Sequence, residues 1–157
     1  VNIEPRLSGG GRLEVTFEIE MDPVTATDPD HVSIVGVNSG PYAGSVNVSL
    51  DGTGTVVIIE PLGSLPEADC YTVDLTGMLS KWGAGPMHRT FEFVALTGDS
   101  DLNGLVDSAD ADAVRQRLGR IVVTSIVRFD VNHDGSISTA DLASVKQRLG
   151  STAPPCP

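Results

Sequence analysis

The chain has 157 residues, a formal net charge of −11 and only 4% aromatic residues. This length allows one or two domains, and the acidic balance argues against a nucleic-acid-binding protein. No stretch approaches the ~20 apolar residues of a transmembrane helix. The chain begins at Val1 with neither a signal peptide nor an initiating Met, so we interpret it as a piece of a longer protein.

Residues 1–97 contain short runs in which apolar and polar residues alternate, separated by turn sequences. Val15, Phe17 and Ile19 alternate with polar residues, and Asp51-Gly-Thr-Gly54 is a typical turn sequence. The pattern predicts strands and no helix, with the strands at Asn2–Leu7, Leu13–Glu20, Val32–Val37, Ser45–Leu50, Thr55–Pro61, Cys70–Thr76 and Thr90–Leu96. This number of strands in a segment of this length favours an immunoglobulin-like β-sandwich.

Two stretches of this segment resemble a bacterial immunoglobulin-like family. One runs from Val15 to Pro23 and on into His31-Val-Ser-Ile-Val-Gly36, and the other is Leu65–Gly77. The resemblance implies a spacer, an adhesive element or a neighbour that stabilises a functional domain.

We predict no catalytic residues in the chain. His31 and His88 lie far apart in sequence, and no further convergent metal ligands accompany them. Trp82, in a turn, is interpreted as a loop-packing residue in preference to a sugar-stacking one. No Ser/His/Asp or Cys/His arrangement stands out.

The last third of the chain contains the same twelve-residue pattern twice, in loop 1 (residues 99–110) and loop 2 (residues 130–141). Each loop has oxygen-bearing side chains at positions 1, 3, 5, 9 and 12. Calcium takes six to eight oxygen ligands, and Gly104 or Gly135 at position 6 permits the sharp turn that directs them inward. Position 7 should contribute its backbone carbonyl, and position 9 should bind directly or through water. We therefore predict two Ca²⁺ sites, formed by Asp99, Asp101, Asn103, Leu105, Asp107 and Asp110 in site 1 and by Asp130, Asn132, Asp134, Ser136, Ser138 and Asp141 in site 2.

A helix is predicted after each loop. Apolar residues recur at helical spacing, as Ala111, Val114 and Leu118 and again as Leu142, Val145 and Leu149. Each helix is predicted to end in basic residues with a C-cap glycine, Gly119 or Gly150. A strand pattern precedes Asp99 where an EF-hand would have its first helix, so each unit is a loop plus one following helix.

These features resemble a dockerin module over residues 98–150, with two loop–helix calcium repeats, Asp at position 12 and a Gly98-Asp99 opening. The resemblance implies a non-catalytic, extracellular module that docks its parent protein onto a cohesin module of a scaffold or surface protein. The near two-fold symmetry would allow either helix to face one partner. Carried over by position, the partner contacts are Ser108, Ala109, Arg115 and Gln116 on the first helix and Thr139, Ala140, Lys146 and Gln147 on the second.

The predicted organisation is a sandwich at 1–97, a dockerin-like domain at 98–151 and a tail at 152–157. Because almost no linker separates the two domains, they should sit against each other. Cys70 and Cys156 are either free thiols or a disulfide. An extracellular calcium module favours oxidation, so we predict the disulfide.

Two alternatives remain open for the function. The repeat could be a structural calcium clasp at the end of a large surface or secreted protein that binds no cohesin. The chain could also be a carbohydrate-binding accessory domain of a polysaccharide-degrading enzyme. A cohesin encoded in the same organism would favour docking, and retention on insoluble glycan would favour the second alternative.

Overall fold

The computed structural model describes residues 11–83 and 90–157. Its strands are β1 (Leu13–Thr16), β2 (Ser33–Gly36), β3 (Gly40–Pro41), β4 (Val46–Leu50), β5 (Val56–Pro61), β6 (Asp69–Asp74) and β7 (Thr90–Ala95). Its α-helices are α1 (Pro23–Ala26), α2 (Ser108–Arg115) and α3 (Thr139–Gln147), with 3₁₀ turns at Pro29–His31 and Thr124–Phe129. The fold is thus mainly β, followed by a small helical region. None of the helices in the described part of the chain is long and apolar enough to cross a bilayer.

The strands form two antiparallel sheets, in the orders β1-β5-β4 and β3-β2-β6-β7. Both sheets contribute to one apolar core, in which Val15 and Ile59 from the first sheet are buried together with Tyr71 and Phe93 from the second. The rings of Tyr71 and Phe93 stack with their centroids 5.4 Å apart. Alternation along each strand therefore directs one face of each sheet into a shared interior.

Six of the predicted strands have counterparts in the two sheets, and Asn2–Leu7 lies outside the described residues. The first counterpart is shorter than predicted, because the chain bends after Thr16 and Met21 forms an isolated bridge with Ser80. Ile19 is consequently 43% exposed, so its predicted place beside Val15 and Phe17 was wrong. The two-residue strand β3 is too short to produce an alternation pattern and was not predicted.

Short helical turns, which the sequence did not predict, follow two Asp-Pro pairs. Asp22 caps α1 by accepting hydrogen bonds from the N–H groups of Val24 (2.9 Å) and Thr25 (3.0 Å). Asp28 caps the following 3₁₀ turn by accepting the N–H of Asp30 at 3.0 Å. An Asp followed by Pro suits a helix N-terminus as well as a turn. Both helical turns contact β4, an edge strand of its sheet.

A buried carboxylate fastens the β2–β3 connection to β6. Asp69 is 1% exposed and accepts hydrogen bonds from the N–H of Asn38 (3.0 Å), the N–H of Ser39 (2.8 Å) and the hydroxyl of Ser39 (2.7 Å). Burial by itself raises the pKa of Asp69, but these hydrogen bonds outweigh it and hold the pKa below its usual value. A Cβ atom on Gly36 would lie 2.1 Å from the Ser39 hydroxyl oxygen, so only glycine permits this approach.

The helical region has an apolar cluster of its own, which extends onto the end of β7. Val106, Val114 and Val145 are fully buried in it, and Leu96 lies in the same cluster. Partly buried Val94 and Ala68, on the β side, pack against it. The helical region therefore packs directly on the β region.

The helices end earlier than the sequence predicts. Gln116 and Arg148 are the C-cap residues, whereas the glycines predicted for that role, Gly119 and Gly150, lie further along with φ of +80° and +88°. Leu118 and Leu149, the last members of the two apolar stripes, fall beyond the last helical turn and are 36% and 50% exposed. After each helix the chain turns back and contacts the calcium-type loop of the other repeat, so the helix ends before the predicted glycine.

The two cysteines are joined in the structure. Cys70, in β6, and Cys156, in the C-terminal tail, form a disulfide with a Cα–Cα distance of 5.3 Å. The tail is thereby attached to the four-stranded sheet.

Candidate metal centre and docking face

Both calcium-type loops wrap around the carboxylate at position 1. In loop 1, Asp99 accepts hydrogen bonds from the N–H groups of Asn103 (3.2 Å) and Gly104 (2.8 Å). In loop 2, Asp130 accepts them from residue 134 (3.1 Å) and from Gly135 (3.0 Å). The glycines have φ of +83° and +89°, which shows that position 6 needs the left-handed turn predicted for it.

Position 4 of each loop is also left-handed, although it is not glycine. Leu102 has φ of +65° and His133 has φ of +57°. A side chain in this region costs about 1–2 kcal/mol, so both loops contain the same local strain. Nothing in the sequence marks it at Leu102, whereas histidine is among the residues found more often in this region.

Positions 9 and 12 close each loop and start the helix that follows. In loop 1, Asp107 caps α2 by accepting the N–H of Ala109 at 2.6 Å, and Asp110 accepts the N–H of Asp107 at 2.8 Å. Reciprocal bonds between positions 9 and 12 form a capping box. Loop 2 repeats it with Ser138 and Asp141, and Asp141 accepts the Ser138 N–H at 2.8 Å. Asp110 and Asp141 are fully buried, so the short Asp side chain at position 12 is tied to the backbone of its own loop.

Three carboxylates of loop 1 converge. Asp99, Asp101 and Asp110 each place one oxygen within 4.8 Å of the others. Asp107, the fourth predicted carboxylate, lies outside this group because it caps α2. Loop 2 also contains three acids, Asp130, Asp134 and Asp141, but they form no comparable group within residues 11–83 and 90–157.

The donor set of loop 1 fits a hard divalent cation. Asp99 and Asp110 are buried, and across the described ranges no Lys or Arg forms an ion pair with a loop carboxylate. Burial, reinforced by the neighbouring charge of Asp110, raises the pKa of Asp99 above its usual value, against hydrogen bonds that lower it. Only oxygen atoms are offered, which is the chemistry that calcium requires.

In loop 2 the exposed Asp134 has the opposite shift. Hydrogen bonds from the hydroxyl of Ser136 and the amide of Asn132 hold its pKa below the usual value. A carboxylate stabilised in its charged form remains available to a cation at neutral pH.

Each loop is held by the segment that follows the other repeat's helix. Gly119 N–H donates to the carbonyl of Ile137 at 2.7 Å, and Ile137 N–H donates to the carbonyl of Arg120 at 3.0 Å. The equivalent pairs on loop 1 are Gly150 to Val106 at 2.8 Å and Val106 to residue 151 at 2.9 Å. The segment Gln-Arg-Leu-Gly, which recurs at the end of both repeats, thus leads into the same long-range pairing, which sequence reasoning missed.

The predicted partner-binding residues are all exposed. They lie at the starts and ends of α2 and α3 and comprise Ser108, Ala109, Arg115, Gln116, Thr139, Ala140, Lys146 and Gln147. Arg115 pairs with Asp112 on the same helix, in an exposed ion pair that contributes little. Neither helix face is covered by the described part of the β region, but contact of these residues with a partner remains a prediction.

Comparison with known families matches residues 97–150 to the dockerin type I domain. No curated protein matches the chain. Among solved structures, domains 1–6 of surface layer protein SbsC are 21% identical with a TM-score of 0.50, over 60% of this chain and 13% of that one. The bacterial S-layer protein rSbsC(31-844) is 20% identical with a TM-score of 0.51, over 62% and 13%. These two similarities concern the fold alone, and the chain spans only a small part of each S-layer protein.

A type II cohesin–X-dockerin complex from Acetivibrio cellulolyticus is 14% identical with a TM-score of 0.33, over 88% of this chain and 93% of that one. That score is too low to support an argument about this fold. The family match alone shows that residues 97–150 are similar to the dockerin type I domain, a non-catalytic module of a family that generally binds calcium.

Proposed function

We propose that residues 98–151 form a calcium-dependent docking module that attaches its parent protein to a cohesin module on an extracellular scaffold or surface protein. The observation that carries this proposal is the dockerin type I match, which falls on the segment containing both calcium-type loops. The convergence of Asp99, Asp101 and Asp110 supports the metal part of the proposal.

The module binds two calcium ions, one in each loop, through the ligand sets predicted above. The carboxylates at positions 1 and 12 are already turned inward by hydrogen bonds from their own loops. Bound Ca²⁺ supplies the positive charge that relieves repulsion between them. Site 1 has four predicted carboxylates, of which Asp99, Asp101 and Asp110 converge and Asp107 is proposed to bind through water, whereas site 2 has three, so site 1 binds more tightly if the loops are equally rigid.

Metal binding is coupled to folding of the docking face, which is the exposed surface formed by the predicted partner-binding residues of α2 and α3. Positions 9 and 12 belong both to the predicted ligand sets and to the capping boxes of α2 and α3. Ordering a loop therefore fixes the start of its helix, where small exposed residues allow a flat partner surface to approach. Because the two repeats are related by near two-fold symmetry, either helix can face the same cohesin.

The β region is proposed to be an immunoglobulin-like sandwich, with the division into 1–97, 98–151 and 152–157 made in the sequence analysis. Its two antiparallel sheets and shared core support this assignment. The disulfide supports secretion to an oxidising environment.

Calorimetric titration tests both parts of the proposal. Chelated protein should take up two equivalents of Ca²⁺ per chain, and a cognate cohesin should bind the calcium-loaded protein but not the protein in EDTA. Absence of calcium uptake would refute the metal sites. Calcium uptake without binding to any cohesin of the source organism would refute docking.

A structural calcium clasp is the second candidate, and one observation favours it. The helical region shares an apolar cluster with the β region and is also attached to it by the disulfide. In that case calcium removal should lower the unfolding temperature of the β region, while no cohesin binds. Differential scanning calorimetry with and without EDTA measures this effect.

A further inference from the structure

The two loops hold the carboxylate at position 12 with different hydroxyl groups. In loop 1, Oδ1 of Asp110 accepts hydrogen bonds from the backbone N–H of Ser100 at 2.7 Å and from its hydroxyl at 3.0 Å. The same position of loop 2 is Val131, which has no hydroxyl. There, Oδ2 of Asp141 accepts a hydrogen bond from the hydroxyl of Ser138, at position 9, at 3.1 Å.

Ser100 occupies a position that packing alone would give to an apolar residue. It is 1% exposed, and its counterpart Val131 is buried in the apolar cluster of the helical region. Position 2 is not a ligand position in loops of this pattern, so metal coordination does not require a hydroxyl there. Within the described residues, the side chain of Ser100 makes its hydrogen bond to the fully buried carboxylate of Asp110, and charge-assisted bonds of this kind are among the stronger ones.

We infer that Ser100 is a positioning residue for calcium binding at site 1. Its hydroxyl holds the Asp110 carboxylate in the orientation that converges with Asp99 and Asp101. The torsion that rotates an Asp carboxylate is broad. Without this hydroxyl, Asp110 would be held by backbone N–H groups alone, and more of its orientation would have to be fixed when the cation binds. The inference rests on the proposed calcium function and extends it to a residue outside the predicted ligand sets.

The test is a calcium titration of the full chain followed by ¹H–¹⁵N NMR, in which the amides of Gly104 and Gly135 report sites 1 and 2 separately. Groups that orient metal ligands typically change metal affinity by about 10–100-fold. Ser100→Ala should therefore raise the Kd of site 1 by at least about tenfold and change that of site 2 by less than about twofold. Ser100→Thr, which keeps the hydroxyl, should restore most of the affinity. Ser144→Ala, which removes a half-buried hydroxyl of α3 that donates to the carbonyl of Ala140, is the matched control.

Two further readouts separate positioning from general stability. In metal-free protein, the amide of residue 100 should exchange with solvent faster in Ser100→Ala than in the wild type, because the Asp110 carboxylate then loses its hydroxyl partner and is held by backbone N–H groups alone. A purely structural role would instead weaken both sites equally, or lower the urea midpoint with the ratio of the two Kd values unchanged.

Either of those results, or an unchanged site 1 affinity in Ser100→Ala, would overturn the inference alone. A wild-type protein that binds no calcium would overturn the proposed function together with it.

Discussion

Removal of the Cys70–Cys156 disulfide should destabilise the whole chain and loosen one calcium loop selectively. The bond closes a loop between residues separated by 86 positions. In the chain-entropy model, a loop of that length corresponds to about 4.6 kcal/mol at 25 °C. With a urea dependence near 2 kcal/mol per molar, the unfolding midpoint of Cys70→Ala/Cys156→Ala should fall by about 2 M.

The selective effect follows from where the tail lies. Ser151 accepts the N–H of Val106 at 2.9 Å and Ala153 N–H donates to the carbonyl of Gly104 at 3.0 Å, so the tail completes loop 1 a few residues before Cys156. The corresponding bond on loop 2, from Ile137 N–H to residue 120, lies between two helices and does not depend on the tail.

Hydrogen exchange monitored by NMR, together with urea unfolding followed by circular dichroism, measures both effects in calcium-saturated protein. In the double variant the Val106 amide should exchange at least several-fold faster, while the Ile137 amide is the internal control. Alkylation of two thiols in unreduced wild-type protein would show that the bond is absent in solution. A midpoint shift below about 0.5 M would refute the entropic argument, and equal acceleration at both amides would refute the role of the tail.

Three further predictions concern the loops, the docking face and the core. Asp110→Asn should weaken site 1 by at least about 100-fold in calcium calorimetry, with the exposed Asp112→Asn as an unaffected control. Ser108→Arg or Thr139→Arg alone should weaken cohesin binding little, whereas the double variant should abolish it; complete loss from one single variant would contradict two equivalent binding modes. Because the folded-state pKa of Asp69 is lowered from 3.8, its contribution to stability is fully present above that pH and lost as the pH falls through the folded-state pKa. Asp69→Asn should therefore cost about 1–3 kcal/mol at pH 7 and flatten the acid limb of stability against pH in EDTA; an unchanged limb would exclude this carboxylate as its source.

The elements that the sequence predicts well are those encoded locally. The ligand pattern and the glycine at position 6 locate both loops, and alternation places most of the strands. The prediction overshoots at the helix ends, because Leu118 continues the apolar spacing although the chain has already turned away. Asp22-Pro23 is ambiguous for a related reason, since the same pair suits a turn and a helix cap.

What the sequence does not reveal depends on contacts between distant residues. The left-handed backbone at position 4 of each loop contradicts the intrinsic preference of Leu102, so that residue gives no local sign of it. The role of Ser100 appears only when Asp110, ten residues away, is placed beside it. Pairing between one repeat's loop and the other repeat's trailing segment is invisible to any search for local periodicity.

That reciprocal pairing predicts that the module folds only when both repeats are present. A single repeat cut from the chain would leave the backbone groups of Val106 and Gly150, or of Ile137 and Gly119, without the partners they have here. Each repeat supplies hydrogen-bond partners to the other. The smallest unit that folds is therefore expected to be the pair of repeats and not one twelve-residue loop with its helix. Two separate fragments divided between the repeats should find each other and assemble, whereas loss of either half would leave the survivor unable to close its own loop.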